Sequence, residues 1–312
     1  WYQIRSPSMR AKQVYGDLGD KTLKREKFSI WTIFKILVLG FMVFTIIYPF
    51  VYMTAVSLSG KLYVMKNEVT FYPKGFTLEM YKYVFNSPTI FTAYRNTILY
   101  VALGTAVSLS VTSAAAYALS KTGKLAFVKF FNIFVTIPMF FNSGMIPQFL
   151  NVKSLGLVDT IWAIVFVTAV SSWYLIIMKS FFISFPSEIE DSGHVDGLND
   201  FGVFLRLVLP TSKAVLAAVG LFYAVDMWNS FFVPYLYIQT PSKYPLQCVL
   251  RNLIIQGEGV AKSAISQTRD LAITEDGLKY ATIVISVIPI IMVYPFIQKY
   301  FVKGVMLGSV KG

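Results

Sequence analysis

The sequence predicts an all-α membrane protein with six transmembrane helices and both termini in the cytoplasm. Of its 312 residues, 55% are hydrophobic and only 14% are charged, against about 25% charged residues in an average soluble domain. The apolar residues are also clustered, and six charge-poor windows reach the roughly 20 residues that a membrane-spanning helix needs. The third observation is an uneven distribution of lysine and arginine. Together these observations argue against a soluble globular protein.

The predicted spans are separated by loops of very different length. In chain order the spans are 36–60, 96–120, 130–152, 160–178, 214–242 and 280–298. We expect residues 1–30 to form a cytoplasmic amino-terminal segment and residues 31–312 the transmembrane domain. The first apolar window is longer than the apolar core of a signal peptide, so a retained anchor is predicted. Two loops are unusually long, an inner one at about 184–212 and an outer one at about 239–279, and such loops are commonly functional or disordered.

The positive charge of the chain indicates topology rather than nucleic-acid binding. There are 28 basic and 16 acidic residues, and cytoplasmic loops of membrane proteins carry an excess of lysine and arginine. Seven basic residues lie within residues 1–30. Lys35, Arg95 and Lys179 lie at the edges of spans, and of the others the predicted inner segments hold 15 and the outer segments 10. A single cysteine and a single histidine exclude an internal disulfide and a multi-histidine metal site.

The inner loop is acidic and carries helix signals. Ser187 and Glu190 have the spacing of a capping box, which predicts a short helix that Gly197 ends. Asn199 or Asp200 is then expected to cap a second helix with one apolar face, formed by Phe201, Phe204, Leu205 and Val208. The alternative is that this loop is an ordinary connector at the membrane interface. Because the cytoplasmic leaflet is negative, an acidic helix on this side favours a protein partner over lipid.

Two segments resemble one family of membrane proteins. Residues 188–197, Glu-Ile-Glu-Asp-Ser-Gly-His-Val-Asp-Gly, with Pro210 following in Leu-Val-Leu-Pro, are similar to the EAA loop of bacterial binding-protein-dependent ABC importer permeases. Residues 303–312 are similar to the carboxyl terminus of the maltose-type, carbohydrate-importing group. The triplet at 191–193 is Asp-Ser-Gly where the family has Glu-Ala-Ala, which implies a weaker helix and a shorter acidic reach.

The resemblance implies a type I ABC importer permease in the bacterial cytoplasmic membrane, which is not itself an enzyme. No Gly-x-x-x-x-Gly-Lys-Ser/Thr phosphate loop occurs in the sequence, so ATP and Mg are expected on a partner ATPase and no cofactor on this chain. The implied partners are a second homologous permease, two copies of a cytoplasmic ATPase, a soluble substrate-binding protein, an oligosaccharide and the lipid bilayer, with no nucleic acid. The implied ATPase-coupling residues are Glu188, Glu190, Asp191, Ser192, Gly193, Asp196 and Gly197.

The substrate pathway is predicted from polar and aromatic residues within the spans. Asp226 interrupts the fifth window, and an ionisable group at membrane depth faces a cavity or a partner by default. Aromatic faces with amide and carboxylate groups suit sugar rings. The candidates are Asn142, Trp173, Tyr223, Asp226, Trp228 and Asn229. Pairing of Asp226 with a neighbouring span, a position near the outer end, and packing or lipid contact of the aromatic residues remain open alternatives.

The long outer loop is expected to face the binding protein, with Arg251, Gln256 and Glu258 as contacts. A structured lid without such a contact is the alternative. The loop resembles that of permeases for large acidic oligosaccharides such as alginate or pectin fragments. Arg251 lies in an apolar stretch, where its guanidinium is suited to bind a carboxylate with two aligned donors, and pairing with an acid of the same loop is the competing interpretation.

An ion-coupled secondary transporter or channel is the alternative class of function. Such carriers place several acidic, basic or histidine side chains within their spans, whereas Asp226 is the one acid inside the six windows. A membrane enzyme is disfavoured because no nucleophile and base, and no cluster of His, Asp and Glu, can be assigned to one membrane face. The feature that distinguishes an importer permease from both alternatives is the acidic inner loop, which resembles the EAA loop.

Overall fold

The computed structural model describes residues 30–121, 127–141, 143–256 and 274–309, with backbone alone at 255–256 and 296–309. Within these four stretches the chain forms helices joined by short connections, and no strand is present. The all-α prediction is confirmed.

The helices in the first half of the chain are of unequal length. They are α1 (Ile30–Ser57), α2 (Lys61–Met65), α3 (Glu79–Asn86), α4 (Pro88–Ser120), α5 (Val128–Phe140), α6 (Met145–Ser154), α7 (Ile161–Val167) and α8 (Ser172–Ile183).

The second half begins with short helices and ends with a long one. In order these are α9 (Ser187–Val195), α10 (Asp200–Val203), a π-helical turn (Phe204–Val208), α11 (Leu209–Thr211), α12 (Lys213–Asn229), α13 (Phe232–Tyr237), a 3-10 turn (Pro241–Lys243), α14 (Leu246–Gln256) and α15 (Glu275–Ser309).

Membrane crossing is supported by length and composition for three to five units of the described chain. Helices α1, α4 and the stretch Glu275–Pro295 of α15 qualify alone, and two bent pairs add to them, α7 with α8 at 54° and Asp200–Thr211 with α12 at 84°. The window at 130–152, expected as one span, is instead divided into α5 and α6 near Gly144, which adopts a positive φ of 80°. Six spans and their orientation therefore stay a prediction.

The chain divides into two compact units, Trp1–Val51 and Tyr52–Gly312. The described part of the first unit is the amino-terminal portion of α1. Its large apolar side chains are exposed, with Leu37 at 67% and Phe41 at 72%. A continuous exposed apolar surface of this kind is typical of contact with lipid.

Helix α4 is the central element of the second unit and packs mainly on α12 and α8. Most of the buried residues along its length are small, among them Gly104, Ser108, Thr112 and Ala116. Small residues let helix backbones approach closely, which is how helices associate in a membrane. At Gly104 the approach is so close that an added Cβ would lie 2.2 Å from the Sδ of Met227.

The two ends of α4 belong to different buried clusters. At its amino-terminal end, Ile90 and Ala93 pack with side chains of α3, α14 and α15. At its carboxyl-terminal end, Ala116 and Tyr117 pack with side chains of α8, α12 and the π-helical turn. Helix α4 thus connects the region of the long outer loop with the region of the acidic inner loop.

Candidate functional site

The acidic inner loop forms helix α9, which begins at Ser187 directly after Pro186. The capping-box prediction is wrong, because the N-cap position is occupied by Pro186, whose side chain makes no capping hydrogen bond. The carboxylate of Glu190 pairs instead with the ammonium of Lys121 at the end of α4. Glu188 and Glu190 nevertheless lie in the first turn, where the helix dipole favours negative charge.

Helix α9 has one buried and one exposed side. Glu190 is only 3% exposed, and Gly193 is also buried. Gly197, just beyond the helix, is exposed. The exposed side, called the acidic face below, consists of Glu188, Asp191, Ser192, Val195 and Asp196. Five of the seven predicted coupling residues are therefore exposed and accessible to another chain, whereas Glu190 and Gly193 are buried within this one.

The glycine elbow after α9 is present as predicted. Gly197 has φ of +82°, the left-handed conformation in which glycine commonly follows a helix end. Asn199 caps the next helix, since its Oδ1 accepts a hydrogen bond from the backbone N–H of Gly202 at 2.8 Å. These two local signals were sufficient to place the turn.

The predicted apolar face of the second helix is only half right. Phe204 and Val208 are buried, but Phe201 and Leu205 are 66% and 46% exposed, and Val203 is buried in their place. The reason is the π-helical turn Phe204–Val208, in which the hydrogen bonds run from i to i+5 and the spacing of an α-helix no longer holds.

Close packing explains why glycine occupies the third position of the Asp-Ser-Gly triplet. A Cβ at Gly193 would lie 2.6 Å from Cδ1 of Leu207 and 3.1 Å from Cγ2 of Val203. The absence of a side chain therefore lets α9 lie directly against the helical segment that follows the elbow.

Asp226 lies at a cavity of about 290 Å³. The hydroxyl of Tyr174 in α8 donates a hydrogen bond to Oδ2 of Asp226 at 2.5 Å, so Asp226 both interacts with a neighbouring helix and lines a cavity. Tyr223, 2% exposed, lines the same cavity, and its hydroxyl accepts the backbone N–H of Ser171 at 3.0 Å. The break between α7 and α8 thus supplies backbone and hydroxyl groups beside a carboxylate.

The other predicted pathway residues are distributed differently. Trp228 is partly buried against the cluster at the amino-terminal end of α4, with its ring edge-on to Tyr94, and Trp173 is 63% exposed. Neither is among the residues that line the two cavities described here. Asn142 lies outside the described residues. Asn229 lines a second, larger cavity.

Arg251 lines this second cavity, whose volume is about 480 Å³. Its guanidinium carbon is 4.1 Å from the centre of the Tyr235 ring, a cation–π arrangement that holds the planar group by one face. Among the described side chains no carboxylate forms an ion pair with Arg251. The other polar groups of the lining are those of Asn229, Gln247 and Ser286.

Two other basic residues of the outer loop do have carboxylate partners. The Nζ of Lys243 is 2.6 Å from Oδ2 of Asp159, and the Nζ of Lys279 is 2.8 Å from Oδ1 of Asp276. The remaining basic residues of the loop, Lys262 and Arg269, and the predicted contacts Gln256 and Glu258, have no described side chains. Arg251 is thus distinguished from Lys243 and Lys279 by its lack of an acidic partner in the described loop.

Asp159 fixes the start of the outer loop, a role that was not predicted from the sequence. Its Oδ1 accepts the backbone N–H groups of Gln239 and Thr240, both at 3.0 Å, and its Oδ2 accepts the Thr240 hydroxyl at 2.7 Å. The hydrogen bond from Lys243 and these further hydrogen bonds lower the pKa of Asp159 well below its usual value. Its positive φ of 62°, uncommon outside glycine, was not predictable from residue type.

The structural and sequence comparisons agree on one class of protein. Over 96% of this chain and 100% of the other, the fold is similar to that in the crystal structure of a bacterial ABC transporter involved in the import of the acidic polysaccharide alginate, with a TM-score of 0.81 and 29% identity. Residues 106–307 match the binding-protein-dependent transport system inner membrane component family. The chain belongs to this family.

Curated relatives match over nearly the whole chain. Protein LplC of Bacillus subtilis (strain 168) is 42% identical over 91% of this chain and 95% of that protein. The polygalacturonan/rhamnogalacturonan transport system permease protein YtcP of the same organism is 38% identical over 90% and 99%. The protein is therefore a multi-pass inner-membrane permease component of an ABC importer for sugars or oligosaccharides. The alternatives of an ion-coupled carrier and a membrane enzyme are set aside.

Some polar residues that line the two cavities were not predicted from the sequence. Thr168, Ser171 and Ser230 lie at the first, and Gln247 and Ser286 at the second. Each is a small or polar residue in an apolar stretch, and that is a signal too frequent in membrane helices to select these positions without the fold.

Proposed function

We propose that this permease imports uronate-containing oligosaccharides, such as fragments of alginate or pectin. The observation that carries the proposal is the position of Arg251, at a cavity and without a described carboxylate partner. The names of relatives give support, since one is a polygalacturonan/rhamnogalacturonan permease and the structural neighbour imports alginate.

The chemistry of the cavity suits a carboxylated sugar. A guanidinium presents paired N–H donors that match the two oxygens of a carboxylate. Because the ring of Tyr235 lies against the guanidinium of Arg251, the donors at the edge of that planar group stay available to a ligand. The amides of Asn229 and Gln247 can donate to and accept from sugar hydroxyls.

The test is uptake into proteoliposomes that contain the complete importer and a matched binding protein. Trigalacturonate should be imported and should stimulate ATP hydrolysis more than maltotriose does. Arg251→Gln should lower trigalacturonate uptake about 10- to 100-fold, because a hydrogen bond to a charged group contributes about 1.5–3 kcal/mol. Lys82→Gln, which removes an exposed lysine paired with Glu79, serves as the matched control. Stimulation by maltotriose and none by trigalacturonate would overturn the proposal.

The acidic face of α9 is the proposed docking surface for a cytoplasmic ATPase, which binds ATP and Mg. Its exposed carboxylates and the 88% exposed Val195 offer charge and apolar area to a groove on that partner. Glu188→Lys combined with Asp191→Lys should release the ATPase during purification, whereas Glu79→Lys, at an exposed acid elsewhere in the chain, should not. Normal copurification and uptake in the double variant would reject the docking role.

The outer loop is the proposed contact for the binding protein, and a second, homologous permease completes the pathway. Helix α14 packs in the cluster at the amino-terminal end of α4 through Leu246, Val249, Leu250 and Leu253, so only the residues beyond it can be removed without opening that cluster. Deletion of residues 257–273 should reduce ATP hydrolysis stimulated by the binding protein. Unchanged stimulation would argue for a structured lid without this contact.

A further inference from the structure

Glu190 does not belong to the acidic face of α9. Its side chain is 4% exposed and forms an ion pair with Lys121, whereas Glu188 and Asp191 in the same helix are exposed. An ionised carboxylate is retained in a buried position only when a partner compensates for the lost water. The charge of Glu190 is therefore neutralised within this chain rather than presented to another one.

Lys121 lies at a junction of helices. It caps the carboxyl end of α4, and its Nζ is 4.6 Å from the centre of the Tyr117 ring. That ring stacks on Phe204 of the π-helical turn at 5.1 Å and meets Phe182 of α8 edge-on at 5.9 Å. The ion pair thus joins α9 to a packed aromatic cluster at the end of the central helix.

Helix α9 has three connections to the spans. Two are covalent: residues 184–186 join its amino end to α8, and the elbow at Gly197 with the 84° bend leads from its carboxyl end into α12. The third is the ion pair, which leads to α4. The buried contact of Gly193 with Leu207 and Val203 lies on the elbow side, so it does not substitute for the ion pair.

We propose that Glu190 and Lys121 are positioning residues that make α9 and the carboxyl end of α4 move as one body. A displacement of α9 then reaches α4 directly, as well as α12 through the elbow. Transmission of this kind needs a rigid contact between two elements that move together. The proposal rests on the proposed docking of α9 to an ATPase.

The experiment compares transport per ATP in the assembled importer. Glu190→Gln, Lys121→Met, Glu190→Lys and the exchange Glu190→Lys with Lys121→Glu are reconstituted with the ATPase and the binding protein. Trigalacturonate and maltotriose are supplied in parallel, and the sugar that the unaltered importer transports is used for all variants. The readouts are copurified ATPase and sugar molecules imported per ATP hydrolysed. The second readout does not depend on how much complex has folded.

The single variants should keep the ATPase bound but lower the transport ratio about tenfold, within the range of coupling energies of contacting residues. The exchange of charges should restore most of the ratio. Glu79→Gln, which breaks the exposed pair with Lys82, is the control and should leave the ratio unchanged.

Three results would overturn the proposal. Unchanged transport ratios would show that the pair has no role in transmission. A ratio in the exchanged variant as low as in the single variants would show that the pairing itself is not what matters. Loss of the ATPase in Glu190→Gln but not in Lys121→Met would assign Glu190 to the ATPase contact. Failure of the docking proposal is separate, since it is read from the Glu188 and Asp191 variants.

Discussion

The hydroxyl of Tyr223 in α12 lies 2.7 Å from the hydroxyl of Thr112 in α4. The same tyrosine oxygen accepts the N–H of Ser171 at the break between α7 and α8, so one buried group connects three helices. Tyr223→Phe should lower the free energy of unfolding by about 1 kcal/mol, as for hydrogen bonds between membrane helices. Thermal unfolding in detergent measures this change.

The control for that prediction is a pair of substitutions at Thr112. Thr112→Ser retains the hydroxyl and should change stability less than Thr112→Val, which removes it with little change of shape. If Tyr223→Phe and Thr112→Val leave the unfolding temperature unchanged, the hydroxyl contact does not contribute to stability.

The close crossing of α4 and α12 gives a second prediction. Gly104→Ala should destabilise the protein by about 1–3 kcal/mol, the usual cost of overpacking, because the new Cβ would overlap the Met227 side chain. Gly220→Ala should cost less, since its Cβ would lie 3.2 Å from the Leu109 side chain. Adding Met227→Ala to Gly104→Ala should recover part of the loss, and strictly additive effects would contradict the proposed overlap.

Asp159 predicts a pH dependence of stability. Its pKa is lowered in the folded protein, chiefly by the hydrogen bond from Lys243, so the carboxylate stabilises the fold above the unfolded pKa of about 3.9. This contribution should be present at neutral pH and should diminish as the pH falls below about 4. Unfolding temperatures of the unaltered protein and of Asp159→Asn, measured from pH 3 to 7, should converge towards acid pH. A constant difference would show that Asp159 does not stabilise through its charge.

Asp226 gives the fourth prediction, which concerns transport. Asp226→Leu removes the acceptor of the Tyr174 hydroxyl and one polar wall of the first cavity, so uptake should fall by about tenfold or more, as expected when a polar contact to substrate is lost. Trp173→Phe, one residue from Tyr174 but exposed, should have little effect. Full uptake in a correctly inserted Asp226→Leu protein would exclude Asp226 from the pathway.

Local signals predicted the turn after α9 but not the start of that helix, where the capping box of Ser187 and Glu190 is not formed. Gly197 and Asn199 gave the elbow and the helix cap because both depend on residues within a few positions. The prediction of the apolar face at Phe201 and Leu205 was wrong because it assumed α-helical spacing through the π-helical turn Phe204–Val208. The window at 130–152, expected as one span, is divided into α5 and α6, since composition alone does not show where an apolar stretch turns.

The sequence by itself determined the class of protein. Apolar windows require helices in a membrane, since a helix satisfies its own backbone hydrogen bonds there, and the resemblance of residues 188–197 and 303–312 to one permease family indicated the importer permease. Only the tertiary structure decided which charged side chains have a partner of opposite charge within the described chain. Glu190 is buried and paired with Lys121, which lies 69 residues away in the sequence, whereas the neighbouring Asp191 is exposed. Arg251 has no described acid beside it, whereas Lys243 meets Asp159 across 84 residues. Adjacent positions in the sequence cannot specify such pairs, since the distance between the charges is set by how α4, α9 and the outer loop pack.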